Sequence, residues 1–302
     1  MLLPTHDELL KLRTQTNSRG LEPKAKVKSP SYGGHSSLFK GRGLDFSEFR
    51  EYVLGDDIRS IDWRITARTG KAHTKIFTEE RERSVYVIVD TNSYMQFGTR
   101  KTFKSVQAAR AAALIAWSAH DLGDKTGAIL FGSLPEGIKF LTARRSRRSI
   151  WEMLKALCAK PSAREEVKVE YALEQARKHI KHGSAIFIIS DFFKVSEEFE
   201  KNLGLLSRGR DITLVKVTDP ADKDLPLADT IHFSNSKDSS LTVNTNNVEG
   251  AAKYRQKWVQ GDKILQEIVR KFRARLIRVT TNGNLVDEIF GYRNLDSEEV
   301  KT

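Results

Sequence analysis

The chain has 302 residues, and 51 Lys and Arg against 39 Asp and Glu give a formal net charge of +12. A lone cysteine, Cys158, excludes an intrachain disulfide framework and is typical of a reducing compartment. No run approaches the roughly 20 apolar residues that span a bilayer, and Met1–Asn17 lacks the apolar core of a signal peptide. We therefore expect a soluble, cytoplasmic protein without a transmembrane segment. The charge favours an acidic partner, which leaves nucleic acid, an anionic membrane surface and an acidic protein open.

The first 40 residues predict a helix followed by a basic linker. Thr5 and Glu8 form a capping-box pattern ahead of three leucines, with Thr5 as the cap and Glu8 reaching back to it. From Gly20 to Lys40 the composition changes to Lys, Ser, Gly and Pro, which is typical of a linker. We assign residues 1–40 to this N-terminal helix and linker.

Two later segments carry short-strand and turn signals. Residues 41–83 combine β-type runs with many charges, and in residues 229–249 apolar positions alternate with Asn and Ser. The second segment predicts a hairpin. We expect both segments to form one small β-rich appendage.

Between and after these segments, buried-type strands alternate with helical patterns. The apolar runs lie at Val85–Val89, Gly127–Phe131, Ala185–Ile189, Ile212–Val217 and Leu276–Val279. Continuous hydrophobicity predicts strands that are buried on both faces, and strand–helix alternation predicts an α/β fold with a doubly wound, mostly parallel sheet. Residues 84–228 would form its core, and a helix and strand within 250–302 would complete it. A Ser149–Glu152 capping-box pattern predicts where one helix begins.

Carboxylates end two of these strand runs. Asp90 follows the first run, and Ser190 and Asp191 follow the third. In open α/β sheets, ligands lie beyond the carboxyl ends of the strands, so Asp90, Asn92, Ser190 and Asp191 would face one crevice. Such oxygen ligands suit Mg²⁺, although strand-end aspartates also cap the helices that follow them. Spacing alone leaves both interpretations open.

Two motifs carry a resemblance to known families. Asp90-Thr91-Asn92-Ser93-Tyr94 with the later Ser190-Asp191 resembles the metal-ion-dependent adhesion site of von Willebrand factor A domains. The segment Gly41–Trp63 resembles the hallmark of domain-of-unknown-function family 58, through Arg50, Tyr52, Gly55, Asp56, Asp57, Arg59, Asp62 and Trp63. This resemblance covers most of residues 36–290. It implies a von Willebrand A-like fold and a non-enzymatic adaptor for a MoxR-type AAA+ ATPase that assembles or remodels client proteins.

The metal motif departs from the family pattern, in which an Asp-x-Ser-x-Ser loop, a distant Thr and a second Asp hold the ion. Asn92 and Tyr94 replace the two serines, and Lys168 lies where the threonine is expected. A phenol is too long to replace a short hydroxyl ligand, and Mg²⁺ demands near-ideal geometry. We therefore expect no metal and no cofactor. A retained Mg²⁺ site would use Asp90, Asn92 and Asp191. Candidate partner-binding residues are Asp90, Asn92, Tyr94, Lys168 and Asp191.

The residues of the hallmark segment also allow a structural interpretation that does not depend on the family resemblance. Gly55-Asp56-Asp57 is suited to a tight turn, and Arg59 can pair with Asp62. Ile58, Ile61 and Trp63 would be buried anchors, which predicts a structural corner. Exposed members such as Arg59 and Arg64 are the alternative, because they can contact a partner.

Other functions find less support in the sequence. The basic clusters Arg144–Arg148 and Arg270–Arg278 are not interleaved with exposed aromatic residues, so we do not expect nucleic acid as the partner, although it is the main alternative. Contact with a membrane surface stays open. No Gly-x-x-x-x-Gly-Lys-Ser/Thr loop is present, and Asp56, Asp57 and Asp62 give only a weak case for a metal-dependent hydrolase. We therefore expect no enzymatic activity.

Overall fold

The computed structural model of the chain describes residues 3–16, 44–53, 56–79, 83–162, 166–226, 230–234, 240–245 and 247–291. It divides into two units, one of Met1–Glu22 with Arg83–Thr302 and one of Pro23–Glu82. The predicted basic linker, Gly20–Lys40, lies outside the described residues. No described helix combines the length and the apolar character that crossing a bilayer requires.

The predicted core strands are present in the predicted order along the chain, together with further strands and helices. The described helices are α1 (His6–Lys11), α2 (Arg13–Thr16), α3 (Trp63–Thr69), α4 (Lys104–Asp121), α5 (Arg147–Leu157), α6 (Val169–His179), α7 (Glu197–Leu206), α8 (Pro220–Lys223), α9 (Val248–Lys271) and α10 (Leu285–Phe290). The described strands are β1 (Leu44–Glu51), β2 (His73–Glu79), β3 (Ser84–Thr91), β4 (Lys125–Gly132), β5 (Ile138–Arg144), β6 (Ala185–Ser190), β7 (Asp211–Thr218), β8 (Thr230–Ser234), β9 (Ser240–Asn244) and β10 (Arg275–Thr280).

Six strands of the larger unit form one sheet in the order β10-β7-β6-β3-β4-β5. Every neighbouring pair is parallel except β4 and β5, which are antiparallel. This arrangement confirms the predicted α/β fold class with a mostly parallel sheet. Strand β5 was not among the predicted strands, because its burial alternates at the sheet edge instead of being continuous.

Helices cover both faces of the sheet, which explains the continuous hydrophobicity of its central strands. In β3, Val87 packs in a cluster with Leu114 of α4 and Leu154 of α5. The next residue, Ile88, packs on the opposite face with Leu173 of α6 and Leu203 of α7. Both valine and isoleucine are at most 1% exposed. Neighbouring residues of one strand therefore support separate layers of the core.

Two predicted helix starts differ in detail. Thr5 caps α1 by accepting from the Glu8 amide at 3.3 Å, but the Glu8 carboxylate pairs with Arg110 instead of reaching back. The Ser149–Glu152 pattern does not start α5, which is capped three residues earlier by Ser146. Ser149 is buried and donates to the carbonyl of Thr126 at 3.4 Å. A tertiary partner takes precedence over the local capping bond in both cases.

The two small β segments form separate sheets. Strands β1 and β2 pair antiparallel with a bulge at Phe46/Glu48, and α3 lies between them in the chain. Strands β8 and β9 form the predicted hairpin as their own two-stranded sheet. This hairpin belongs to the larger unit, whereas β1 and β2 belong to Pro23–Glu82. The expectation of one shared appendage is corrected accordingly.

Candidate functional site

The strand order brings the two predicted aspartate positions to one edge of the sheet. Strands β3 and β6 are parallel neighbours, with Val89 opposite Ile189. Asp90 and Ser190 therefore leave the sheet at the same level, and the Ser190 hydroxyl donates to Asp90 Oδ2 at 2.7 Å. The side chains at the carboxyl ends of the two strands thus meet in a buried polar cluster, which we call the crevice.

Both carboxylate oxygens of Asp90 accept hydrogen bonds from protein groups. Oδ2 also accepts from the Tyr94 hydroxyl at 2.6 Å. Oδ1 accepts from the Asn92 backbone amide at 3.0 Å and from its side-chain amide at 2.8 Å. Asp90 is only 1% exposed to solvent. Burial raises the pKa of Asp90 to about 6, against the opposing hydrogen bonds from Ser190, Tyr94 and Asn92.

Tyr94 acts as a neutral donor in this cluster. Burial of its hydroxyl and the charge of Asp90 raise the pKa of Tyr94, so the phenol keeps its proton. The hydroxyl also accepts from the Asn92 amide at 3.1 Å. Although a phenol is too long to replace a serine ligand directly, it folds back onto the carboxylate itself.

Asn92 fastens the crevice to the segment that precedes α6. Its Oδ1 accepts from the Val167 amide and its Nδ2 donates to the Val167 carbonyl, both at 2.9 Å. Asn92 is fully buried. The threonine that the family pattern places in this region is thus replaced by a backbone contact with Asn92.

A buried lysine supplies the positive charge of the crevice. Lys104, the first residue of α4, places Nζ 2.9 Å from Asp191 Oδ2 and 3.3 Å from Asp222 Oδ1. Burial lowers the pKa of Lys104, but the attraction of Asp191 and Asp222 outweighs it and the pKa is raised. The ammonium therefore remains charged. The spacing of Lys104 from Ala108 and Ala111, four and seven residues along the helix, is a sequence signal for its burial but does not identify Asp191 as its partner.

The donor set of this crevice does not fit a divalent cation. The Asp90 oxygens are already bonded, the Asn92 amide is held by Val167, and the Lys104 ammonium contacts Asp191. In the described part of the chain, no group of three or more His, Cys, Asp or Glu side chains is arranged to hold a metal. Mg²⁺ requires open oxygen ligands in octahedral geometry, and such ligands are already engaged here.

The five candidate partner-binding residues divide by exposure. Asp90, Asn92 and Asp191 are buried and support the crevice, whereas Tyr94 is 39% exposed and Lys168 is exposed at the N-cap of α6. The cation that contacts Asp191 is Lys104, at 2.9 Å, rather than Lys168. Phe193 was missed: it is 58% exposed and follows Phe192, whose φ of 47° is unusual for a side chain of this size.

The hallmark segment forms the turns that its aspartates predict. The Arg50 guanidinium contacts both Asp56 oxygens at 2.7 Å, and Asp56 also accepts from the Val53 amide. Asp57 accepts from the Arg59 amide at 3.0 Å, and Asp62 caps α3. Tyr52 donates its backbone amide to Ala72. Gly55 lies outside the described residues.

The expected apolar anchors of this segment are exposed. Trp63 is 67% exposed and Ile58 is 63% exposed, whereas Ile61 is half-buried. The prediction of Trp63 as a buried anchor is therefore wrong. Hydrogen bonds and the Arg50–Asp56 ion pair, rather than apolar burial of Trp63, hold the local turns. The three aspartates serve these turns and give no support to a hydrolytic metal site.

Comparisons with known proteins agree with the resemblance in the sequence. The family model described as "Protein of unknown function DUF58" matches residues 48–263. Uncharacterized proteins of Mycobacterium tuberculosis and Mycobacterium bovis are 28% identical over 218 residues, which is 72% of this chain and 68% of each relative.

Several solved structures are similar at low identity. The conserved hypothetical protein BatB from Bacteroides thetaiotaomicron has a TM-score of 0.41 at 16% identity, covering 73% of this chain and 100% of BatB. The SpRpn10 VWA domain has a TM-score of 0.37 at 14% identity, covering 70% and 96%. A von Willebrand factor type A protein from Catenulispora acidiphila has a TM-score of 0.41 at 11% identity, covering 75% and 44%. Two of these proteins are von Willebrand A domains by name, which agrees with the predicted fold type.

The DUF58 family model matches residues 48–263, which is well over half of the chain. The protein therefore belongs to the DUF58 family.

Proposed function

We propose that this protein is a non-enzymatic interaction adaptor whose partner surface lies at the carboxyl ends of β3 and β6. The observation that carries the proposal is the saturation of the crevice by its own groups. Asp90 accepts four hydrogen bonds within the protein, and Asp191 is bonded to Lys104. Because these charged groups are already bonded within the protein, they are not free to react, and a partner would recognise the shape and exposed side chains of the site.

Three side chains form the proposed recognition surface, which we call the crevice rim: Tyr94, Lys168 and Phe193. Tyr94 and Phe193 are 39% and 58% exposed, and they follow neighbouring parallel strands. Exposed aromatic residues on a rigid base contribute contact area at little entropic cost, which is why such residues dominate many interfaces. Lys168 follows Val167, which is bonded to Asn92, and it adds an exposed positive charge that suits an acidic group of the partner.

We further propose that the partner is a MoxR-type AAA+ ATPase and that the pair assembles or remodels client proteins. This finer proposal is supported by the family resemblance of the hallmark segment and of the Asp90 loop. The sequence contains no Gly-x-x-x-x-Gly-Lys-Ser/Thr loop, so nucleotide hydrolysis through such a loop would come from the partner.

The direct test measures binding of the purified full chain to a MoxR-type AAA+ ATPase from the same genome by biolayer interferometry. Phe193→Ala and Lys168→Glu should each weaken binding, and together by tenfold or more, as expected when about 1.4 kcal/mol of interface energy is lost. Leu122→Ala removes a side chain of 48% exposure at the end of α4 and serves as the matched control.

The outcomes separate the two levels of the proposal. Absence of measurable binding to the ATPase contradicts the named partner. Binding that is equal for wild type, the rim variants and Leu122→Ala places the interface away from the crevice rim. Melting temperatures of all variants, measured in parallel, identify any loss that comes from unfolding.

A further inference from the structure

A second surface lies far from the crevice, where α4 ends and α5 begins. Leu10, Arg13, Trp117, Arg147, Arg148 and Trp151 line an open cavity of about 540 Å³, which we call the arginine–tryptophan surface. Lys104 begins α4 and Trp117 lies 13 residues later, which at about 1.5 Å per residue corresponds to about 20 Å along the helix. The two surfaces are thus separate sites on one unit.

The arginines of this surface are incompletely neutralised. Arg148 lies 3.3 Å from Glu152 with its side chain 87% exposed, and Arg13 lies 3.6 Å from Asp121. Arg147 is exposed and has no carboxylate within ion-pair distance in the described part of the chain. The positive charge of this surface also acts on the nearby His120. Burial lowers the pKa of His120 and the charge of Asp121 opposes this, but Arg147 and Arg13 lower the pKa further.

Apolar surface adjoins these charges. Trp151 is 44% exposed, and Leu10 lies beside it in the cavity wall. In the sequence, the Arg144–Arg148 cluster is not interleaved with aromatic residues, but folding brings the indoles of Trp117 and Trp151 to it. Tryptophan and arginine together are the side chains most enriched in interface hot spots.

Cationic side chains of the protein already contact the two indole rings, and this limits which partner groups could stack on them. Lys155 Nζ lies 5.3 Å from the Trp151 ring centre, and the Arg13 guanidinium carbon lies 5.4 Å from that of Trp117. The ring centres of His6 and Trp151 lie 5.3 Å apart, with the ring planes at 74° to each other. A nucleobase would have to displace these groups in order to stack, whereas a carboxylate would add to them.

We propose that the arginine–tryptophan surface binds an acidic segment of a partner protein. Carboxylates of the segment pair with Arg147 and Arg148, and an apolar side chain between them packs against Trp151 and Leu10. Arginine favours this because its planar guanidinium can donate two parallel hydrogen bonds to one carboxylate. The inference stands apart from the crevice rim and from the identity of the ATPase.

The test uses the full chain and an array of fluorescein-labelled 12-residue peptides, in which Asp or Glu residues flank a central Leu, Phe or Tyr at varied spacing. Fluorescence anisotropy measures Kd for each peptide and for its Asn and Gln counterpart. Arg147→Glu should weaken the best peptide by about tenfold or more, as expected when a charged contact is reversed. Trp151→Ala should weaken it too. Arg270→Glu makes the same charge change on an exposed residue of α9 and should change Kd by less than about twofold.

Four results would overturn the proposal. One is that no peptide of the array binds in a way that depends on Arg147. Another is an equal loss in Arg147→Glu and Arg270→Glu, which indicates diffuse charge attraction. The third and fourth are Arg147-dependent binding of a 12-nucleotide oligothymidylate, or of phosphatidylserine vesicles, that is tighter than that of the best peptide. These last two would assign the surface to nucleic acid or to a membrane.

Discussion

Tyr94 combines a buried and an exposed role in one side chain. Its hydroxyl donates to Asp90 at 2.6 Å inside the crevice, while the residue as a whole is 39% exposed. A buried carboxylate that loses a donor bears the desolvation cost without compensation. The ring can therefore face a partner while the hydroxyl stabilises the fold, and truncation of the whole side chain would mix the two effects.

Replacing Tyr94 by phenylalanine separates them, because the ring stays and the hydroxyl is removed. We expect Tyr94→Phe to lower the free energy of unfolding by about 1–3 kcal/mol, since the Asp90 carboxylate loses a short hydrogen bond. Urea unfolding measures the loss. Tyr171→Phe is the control, because Tyr171 is 47% exposed, and its loss should stay within about 0.5 kcal/mol. Equal losses for the two would contradict the donor role of Tyr94.

Trp63 gives the opposite case, a large side chain that contributes little to stability. At 67% exposure, Trp63→Ala should cost less than about 1 kcal/mol, as is usual for surface substitutions. Phe199 is 1% exposed, and Phe199→Ala should cost about 3–5 kcal/mol. Chemical denaturation compares the two. A loss for Trp63→Ala that approaches that of Phe199→Ala would show that the indole is buried after all.

At the scale of elements, two polar residues join parts of the larger unit that are distant in the chain. Lys104 at the start of α4 bonds Asp191 after β6 and Asp222 in α8. Asp219 after β7 accepts from Thr99 before α4 and from Thr281 after β10. The carboxyl end of the sheet is thus held by directed bonds, whereas its middle is held by apolar packing.

Removing the lysine should be costly. Lys104→Met leaves Asp191 and Asp222 buried without their cation, and we expect a loss of about 3–5 kcal/mol at pH 7. The loss should shrink as the pH falls, because protonation neutralises the stranded carboxylates. Lys101→Met, on an exposed lysine three residues earlier, is the control. Unfolding by urea at several pH values measures both. A loss no larger than that of the control would contradict the ion-pair role of Lys104.

Asp219 predicts a different pH dependence. Burial would raise its pKa, but hydrogen bonds from Thr281 and Thr99 outweigh burial and lower it below 3.8. A carboxylate with a lowered folded-state pKa stabilises the protein fully above its unfolded pKa, and this stabilisation is lost as the pH falls through the folded value. The difference in unfolding free energy between wild type and Asp219→Asn should thus be constant from about pH 5 to 7 and shrink below about pH 4. A difference that grows on acidification would contradict the assignment.

The elements that were predictable from sequence are those with a local signal. Continuous apolar runs identified the central strands, and the strand-end position of Asp90 and Asp191 identified the crevice. Strand β5 escaped because an edge strand alternates, and the start of α5 was misplaced because Ser149 has a tertiary partner. Lys104 and Asp191 are 87 positions apart in the chain, so no local sequence pattern predicts that they form a pair. The burial of Trp63 was predicted wrongly because the presence of an apolar residue in a sequence motif does not show whether its side chain is buried.

At the scale of the whole molecule, the larger unit offers two surfaces of distinct chemistry. The crevice rim presents Tyr94, Lys168 and Phe193 over a saturated polar network. The arginine–tryptophan surface presents incompletely neutralised positive charge beside the exposed indole of Trp151. An adaptor needs separate contacts for separate partners, and a net charge of +12 fits partners that carry acidic segments. The carboxylates of the crevice are bonded within the protein, Asp90 by hydrogen bonds and Asp191 by the Lys104 ammonium.

The most direct test of this account is a titration of the purified full chain with Mg²⁺ by isothermal calorimetry, paired with its melting temperature. We expect no saturable heat and no shift at millimolar Mg²⁺, because the Asp90 oxygens and Asp191 are already bonded within the protein. An ion present at about 100 times its Kd would instead add about 2.7 kcal/mol of stability, which raises the melting temperature by several degrees. Saturable Mg²⁺ binding that stabilises the wild type and disappears in Asp90→Ala would contradict the account.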